Sequence, residues 1–248
     1  MSNRIERDPY RGRDPRQIPA YTLFDAARYL RIPKRTIRNW AYGYPYVTKT
    51  RGRRRTRALI EPEYGAAHNF SFFNVVELHV LAALRREHHL HMAKIRAAID
   101  YLKERLNVPR PLIDESMVTN GTDIFVEKLG KLINVSASGQ FAMKAVFQEY
   151  LKRVDRDAHG VAVRLFPFTR PQTAPGDQVV LLTQPRLVSI DPAIAFGRPV
   201  INGSRVPTAE IFERFIAGES PEDIAADFGR SVEEVLEAIR CENTPAAA

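Results

Sequence analysis

A single cysteine, Cys241, stands in a chain of 248 residues. One thiol excludes an intrachain disulfide and any zinc site built on cysteines. No apolar run approaches the ~20 residues that span a bilayer. The segment Met1-Ser2-Asn3-Arg4-Ile5-Glu6-Arg7 also lacks the apolar centre of a signal peptide. These absences predict a cytoplasmic protein with no membrane partner. Phosphate-cradling glycine loops and nucleophile motifs are missing as well. Asp123, Glu127 and Asp191 are scattered without paired spacing, so no enzyme is expected. His88, His89 and His91 crowd together without a companion Cys or carboxylate cluster. They read as polar residues at a helix corner, and neither a metal nor another cofactor is expected.

The most informative absence is of one charge. Between Ala26 and Ile60 there is no Asp or Glu, while eleven cations occur: Arg28, Arg31, Lys34, Arg35, Arg38, Lys49, Arg51, Arg53, Arg54, Arg55 and Arg57. Such one-signed density repels itself unless a polyanion is present. The pattern beneath it is helix, turn, helix. Thr22 caps an apolar stripe of Leu23, Ala26, Ala27 and Leu30. Pro33 suits the first position of a second helix, Lys34 to Ala41. Ile37 and Trp40 fall on its inner face, leaving Lys34, Arg35, Arg38 and Asn39 outward, as reading a major groove requires. Strands are expected at 46–50 and 56–60, flanking an arginine loop at 51–55 that would lie on phosphate. The candidate DNA-contacting set is Lys34, Arg35, Thr36, Arg38, Asn39, Tyr42, Lys49, Arg51, Arg53, Arg54, Arg55 and Arg57.

The rest predicts a mainly α chain with small β elements, an α+β class. Residues 1–19 are polar and basic and read as a flexible arm, followed by the DNA-binding domain at 20–107. That domain closes with helices at 71–86, capped by Ser71, and at 91–102. A small α+β unit is expected at 108–168, with Asn120-Gly121 as a turn. It would hold paired strands at 123–127 and 131–135 around Gly130, a helix at 141–151 and a strand at 161–166. Prolines and Gly176 mark a linker at 169–187. A C-terminal domain at 188–242 precedes a tail at 243–248. Asn202-Gly203 predicts a tight hairpin between Val200-Ile201 and Arg205-Val206. A helix from Thr208 is expected to bury Ile211, Phe212, Phe215 and Ile216. Ser220-Pro221-Glu222-Asp223 opens a second helix. Ser231-Val232-Glu233-Glu234 opens a third, with Val235, Leu236 and Ile239 inward. From Pro207 to Glu242 ten acids face only Arg214, Arg230 and Arg240. Phosphates would repel this second helix-turn-helix pattern.

Two resemblances follow. The capped first helix, Thr36-Ile37-Arg38, the basic wing, Asn74-Val75-Val76-Glu77-Leu78 and Ile95-Arg96-Ala97-Ala98-Ile99 resemble the winged DNA-binding domain of the MerR family. Val108-Pro109-Arg110-Pro111 then interrupts the helix where that family continues into a long dimerisation helix. Asp191-Pro192, Gly197-Arg198-Pro199-Val200-Ile201, Val206-Pro207-Thr208 and the run from Ala217 to Ala225 resemble a small bacterial domain of unknown function found in antitoxins of VapBC-type modules. Together the resemblances imply a VapB-type antitoxin, expected as a homodimer. It would neutralise a PIN-like ribonuclease toxin and repress its operon at its own promoter, on double-stranded DNA. They point to no toxin-contacting residue. The alternative is a stand-alone MerR-like regulator answering a small molecule through residues 108–168.

Overall fold

The computed structural model describes residue 10 and residues 12–48, 52–62, 69–88, 92–114, 121–133, 137–168 and 186–243. The chain is a mixed α+β protein in which helices supply the bulk and two-stranded antiparallel sheets join them. β1 (Tyr21–Thr22) leads into α1 (Leu23–Leu30), and Thr22 forms a reciprocal cap: its hydroxyl accepts from the Asp25 N–H at 3.1 Å. The Asp25 carboxylate accepts from the Thr22 N–H at 2.9 Å. Arg31 ends α1 in the left-handed region, with φ 53°. Pro33 then stands at the cap of α2 (Lys34–Tyr42), one position before the one expected. Ala26, Ala27 and Leu30 of α1 and Ile37, Trp40 and Ala41 of α2 are buried.

The wing differs from expectation in register. β2 (Pro45–Thr48) pairs with β3 (Gly52–Arg55), so Arg53, Arg54 and Arg55 are a strand and not a loop. Lys49 and Arg51 lie outside the described residues. The stretch 56–60 is no strand. Leu59 and Ile60 are buried, and both their N–H groups reach the Trp40 carbonyl, at 2.7 and 3.3 Å. Their apolar surface closes the core under α2 and cannot serve in an exposed ribbon.

β4 (Asn69–Phe70) pairs with β1 and starts α3 (Phe72–His88), whose residues 72–83 are all buried at the centre of the core. Ser71 and Asn74 cap it reciprocally. α4 (Met92–Leu106) follows. The expected strands at 123–127 and 131–135 are instead one helix, α5 (Thr122–Ile133), as far as residue 133; residues 134 and 135 lie outside the described residues. Phe125, Val126 and Leu129 are its buried apolar side chains among the described residues, at helical and not alternating spacing. Gly130 is not a turn. A Cβ there would stand 2.5 Å from the Gln140 side chain of α6 (Ala137–Leu151), so the glycine permits the close approach of two helices. Phe125 and Phe147 stack across that contact at 5.6 Å. The expected strand at 161–166 is β6 (Ala162–Leu165), paired with β5 (Val154–Arg156).

The expected linker lies, but for residues 186 and 187, outside the described residues. Leu165 and Ile190 exchange backbone hydrogen bonds at 2.8 and 2.9 Å. β7 (Val188–Ser189) pairs with β8 (Val200–Ile201), the partner missed in the sequence. The Asn202-Gly203 turn is present: the Ile201 N–H reaches the Val206 carbonyl at 3.0 Å. α7 (Thr208–Ile216), α8 (Pro221–Phe228) and α9 (Val232–Asn243) surround a small core of Ile211, Ile224, Val235, Ala238 and Ile239. Phe215 and Ile216 are not in it, because Thr208 and Ile211 take the buried positions of α7, and neither is Leu236, because Val235, Ala238 and Ile239 take those of α9. Val188, Ile190 and Cys241 belong to the main core that begins at Tyr21.

The arm expected at residues 1–19 is tied down where it is described. The Tyr10 hydroxyl donates to the Pro192 carbonyl at 2.7 Å, and Arg16 Nη1 pairs with Asp157 at 2.9 Å. The Ala20 N–H donates to the Phe70 carbonyl at 3.0 Å.

Candidate nucleic-acid interface

The site is built on α2 and the wing. Trp40 and Ile37 fill the core, which turns Lys34, Arg35 and Arg38 outward and leaves Asn39 half-buried at the edge. These four line one groove with Tyr44 and Pro45 at the start of the wing. Arg53, Arg54 and Arg57 are exposed, and none of them forms an ion pair among the described residues. Arg55 does another job. Its Nε donates to the Tyr42 carbonyl at 3.0 Å, closing the C-terminus of α2 against the wing. Gly43 makes that junction possible. It has φ 67°, and a Cβ on it would meet the Thr56 carbonyl oxygen at 2.0 Å. From below, Arg96 of α4 donates to the Ala58 carbonyl at 3.0 Å, and burial draws its pKa below the ordinary guanidinium value.

Two residues of the expected set point elsewhere. Thr36 is only 7% exposed and faces the core. Tyr42 is half-buried against Phe70, with ring centroids 6.4 Å apart, and burial pushes its phenol above the ordinary value. One surface residue went unnoticed. Phe24 is 54% exposed on α1, and the Lys34 ammonium sits 5.7 Å from its ring centroid. Its position off the 23, 26, 27, 30 stripe was the available signal. Of the histidine trio, His89 and His91 lie outside the described residues; no group of three potential ligands occurs among those described.

From Pro207 onward the sign is opposite, and the three cations of that stretch are already taken. Arg214 pairs with Glu219 and Asp227, Arg230 with Glu234, and Arg240 with Glu237. The Arg214 guanidinium holds the Glu219 carboxyl below the ordinary carboxylate range. Glu210, Glu213, Glu222 and Glu233 remain exposed without an ion pair among the described residues.

The fold and this surface define a helix-turn-helix protein with a basic wing, fused to a small acidic helical domain. Residues 19–99 match the family model described as "Putative DNA-binding HTH domain", and residues 188–240 match "Protein of unknown function (DUF433)". Over its length the chain is similar to "Putative antitoxin VapB45" of Mycobacterium tuberculosis, 29% identical over 240 residues that cover 90% of this chain and 93% of that protein. It is also similar to "Uncharacterized protein Rv2308" of the same organism, 25% identical with 88% of each chain covered. The crystal structure of Rv2018 from that organism shares the fold, with a TM-score of 0.62 and 21% identity over 90% of this chain and 97% of that one. No helix among the described residues is long and apolar enough to cross a membrane.

Proposed function

We propose that this chain is the antitoxin of a type II toxin-antitoxin module. In this reading it binds a PIN-like ribonuclease toxin and, as a homodimer, represses its own operon. The supporting observation is the end-to-end similarity to a protein named as an antitoxin, in a chain whose α2 and wing carry unpaired cations with no acid among them. Lys34, Arg35, Arg38 and Asn39 read base edges or the adjacent phosphates. Arg53, Arg54 and Arg57, with Lys49 and Arg51, hold the backbone. Arg55 positions the wing.

Fluorescence anisotropy on promoter and random duplexes tests this division. Arg38→Ala weakens promoter binding by about 1–3 kcal/mol while changing random DNA little. Arg54→Ala weakens both alike and flattens the log–log salt slope by about 0.9. Equal losses on both duplexes for both variants would reject the assignment. A second reading, a ligand-responsive regulator, has one observation in its favour. A cavity in the middle segment is lined by Leu151, Val154 and Val163, by Lys152, Arg156 and Arg164, and by the Asp155 carboxylate. A small molecule that shifts promoter affinity, with no ribonuclease encoded alongside, would select it.

A further inference from the structure

Three large apolar side chains lie exposed on α7 and α9 of the acidic domain: Ile216 is 66% exposed, Leu236 49% and Phe215 38%. The hydrogen bond from the Thr208 hydroxyl to Glu242 ties the start of α7 to the end of α9. α7 then runs about 12 Å to Ile216, at 1.5 Å per residue, while α9 runs the same length back to its first turns. Ile216 and Leu236 therefore fall at the same end of the pair. Each has an exposed carboxylate one helical turn before it, Glu213 and Glu233, on the same helix face. Neither carboxylate is answered by a cation, because Arg214, Arg230 and Arg240 are held by other acids.

Charge decides what can cover this face. A second copy related by a two-fold axis would set the same acids against each other. Nucleic acid is repelled. A cationic protein surface is attracted, and a ribonuclease must present cations where RNA phosphates lie. We propose that the α7–α9 face of Phe215, Ile216 and Leu236, rimmed by Glu213 and Glu233, docks the toxin on its cationic RNA-binding side. The proposal rests on the antitoxin reading and names the surface that would carry it out. The apolar centre supplies affinity, and the acidic rim supplies orientation and on-rate.

The test uses the full chain co-expressed with the PIN-like ribonuclease encoded beside it. Two double variants are compared with the wild type, Ile216→Ser/Leu236→Ser and Glu213→Lys/Glu233→Lys. All four side chains are solvent-facing, and unchanged promoter affinity and melting temperature show that the fold is intact. The serine pair weakens the complex by about tenfold or more. The lysine pair weakens it most at low salt, and a short RNA competes with the wild type for the toxin. A toxin complex that forms equally with all variants overturns the docking face while leaving the antitoxin reading in place. A wild-type chain that forms no complex overturns both. Self-association of the wild type that the serine pair abolishes assigns the face to a second copy and also overturns the proposal.

Discussion

Tyr21 shows how far single side chains link the two ends of this protein. Its ring is buried at the edge of the helix-turn-helix, and its hydroxyl is buried without a hydrogen-bond partner. Gly197 of the C-terminal part comes so close that a Cβ there would stand 2.1 Å from that oxygen. An unsatisfied buried hydroxyl costs about 1–3 kcal/mol. Tyr21→Phe should therefore stabilise the chain by about 1 kcal/mol in urea unfolding; a destabilised variant would show that the hydroxyl is satisfied after all. Burial also pushes the phenol above the ordinary tyrosine value of about 10. A raised folded-state pKa contributes stability below the unfolded value and loses it above. The wild type should thus lose up to about 1.4 kcal/mol per pH unit above pH 10 from this group alone. The Phe variant lacks that loss, so the two unfolding curves diverge as the solution becomes alkaline. Cys241 is similarly enclosed, and burial followed by the nearby Glu237 raises its thiol above the ordinary value. It should resist alkylation in the native protein and react once the chain is unfolded.

At the scale of elements, the junction of α2 and the wing rests on backbone contact. Gly43→Ala would place a methyl group against the Thr56 carbonyl and force an alanine into φ 67°. We expect a loss of about 2 kcal/mol in stability, and a weaker grip on DNA as the wing swings off the helix. Calorimetry and anisotropy on one preparation would check both, and an unshifted melting temperature would refute the tight junction. Local chemistry of this kind was legible where a residue acts on its own neighbours. The caps at Thr22, Ser71, Ser220 and Ser231 stand where the sequence places them. The outward face of α2 was legible too, since Trp40 and Ile37 leave it no other orientation. Long-range packing was not. Gly130 imitates a turn until Gln140 of the neighbouring helix is beside it. Leu59 and Ile60 imitate a strand until the space beneath Trp40 claims them. Ile216 and Leu236 imitate core residues until Ile211 of α7 and Val235, Ala238 and Ile239 of α9 take the places inside. The strand β5 carries Asp155 and Arg156 and lacks the alternation that would have announced it.

Across the whole molecule, the opposed charges of the two ends sit on one body. The main core runs from Tyr21 through α3 and α6 to Val188, Ile190 and Cys241, so the acidic domain completes the interior of the basic one. An ion pair crosses between them. Arg28 of α1 pairs with Glu242 of α9, whose side chain is nearly all covered and which also accepts the Thr208 hydroxyl. Removing the guanidinium leaves a covered carboxylate with only a hydroxyl to answer it. A fully buried pair broken in this way costs about 3–5 kcal/mol. Arg28 is partly exposed, so Arg28→Ala should cost nearer 2 kcal/mol. Glu242→Gln removes the charge that would be stranded, so Arg28→Ala should cost less in that background than in the wild type. Because the core is continuous, the loss should lower the whole unfolding curve. Near- and far-ultraviolet circular dichroism should move together to lower urea, with α1, α2 and α9 lost in one step. If Arg28→Ala instead releases an early transition confined to the C-terminal helices, the two ends fold as separate units. The basic surface would then owe nothing to the acidic domain that completes its core.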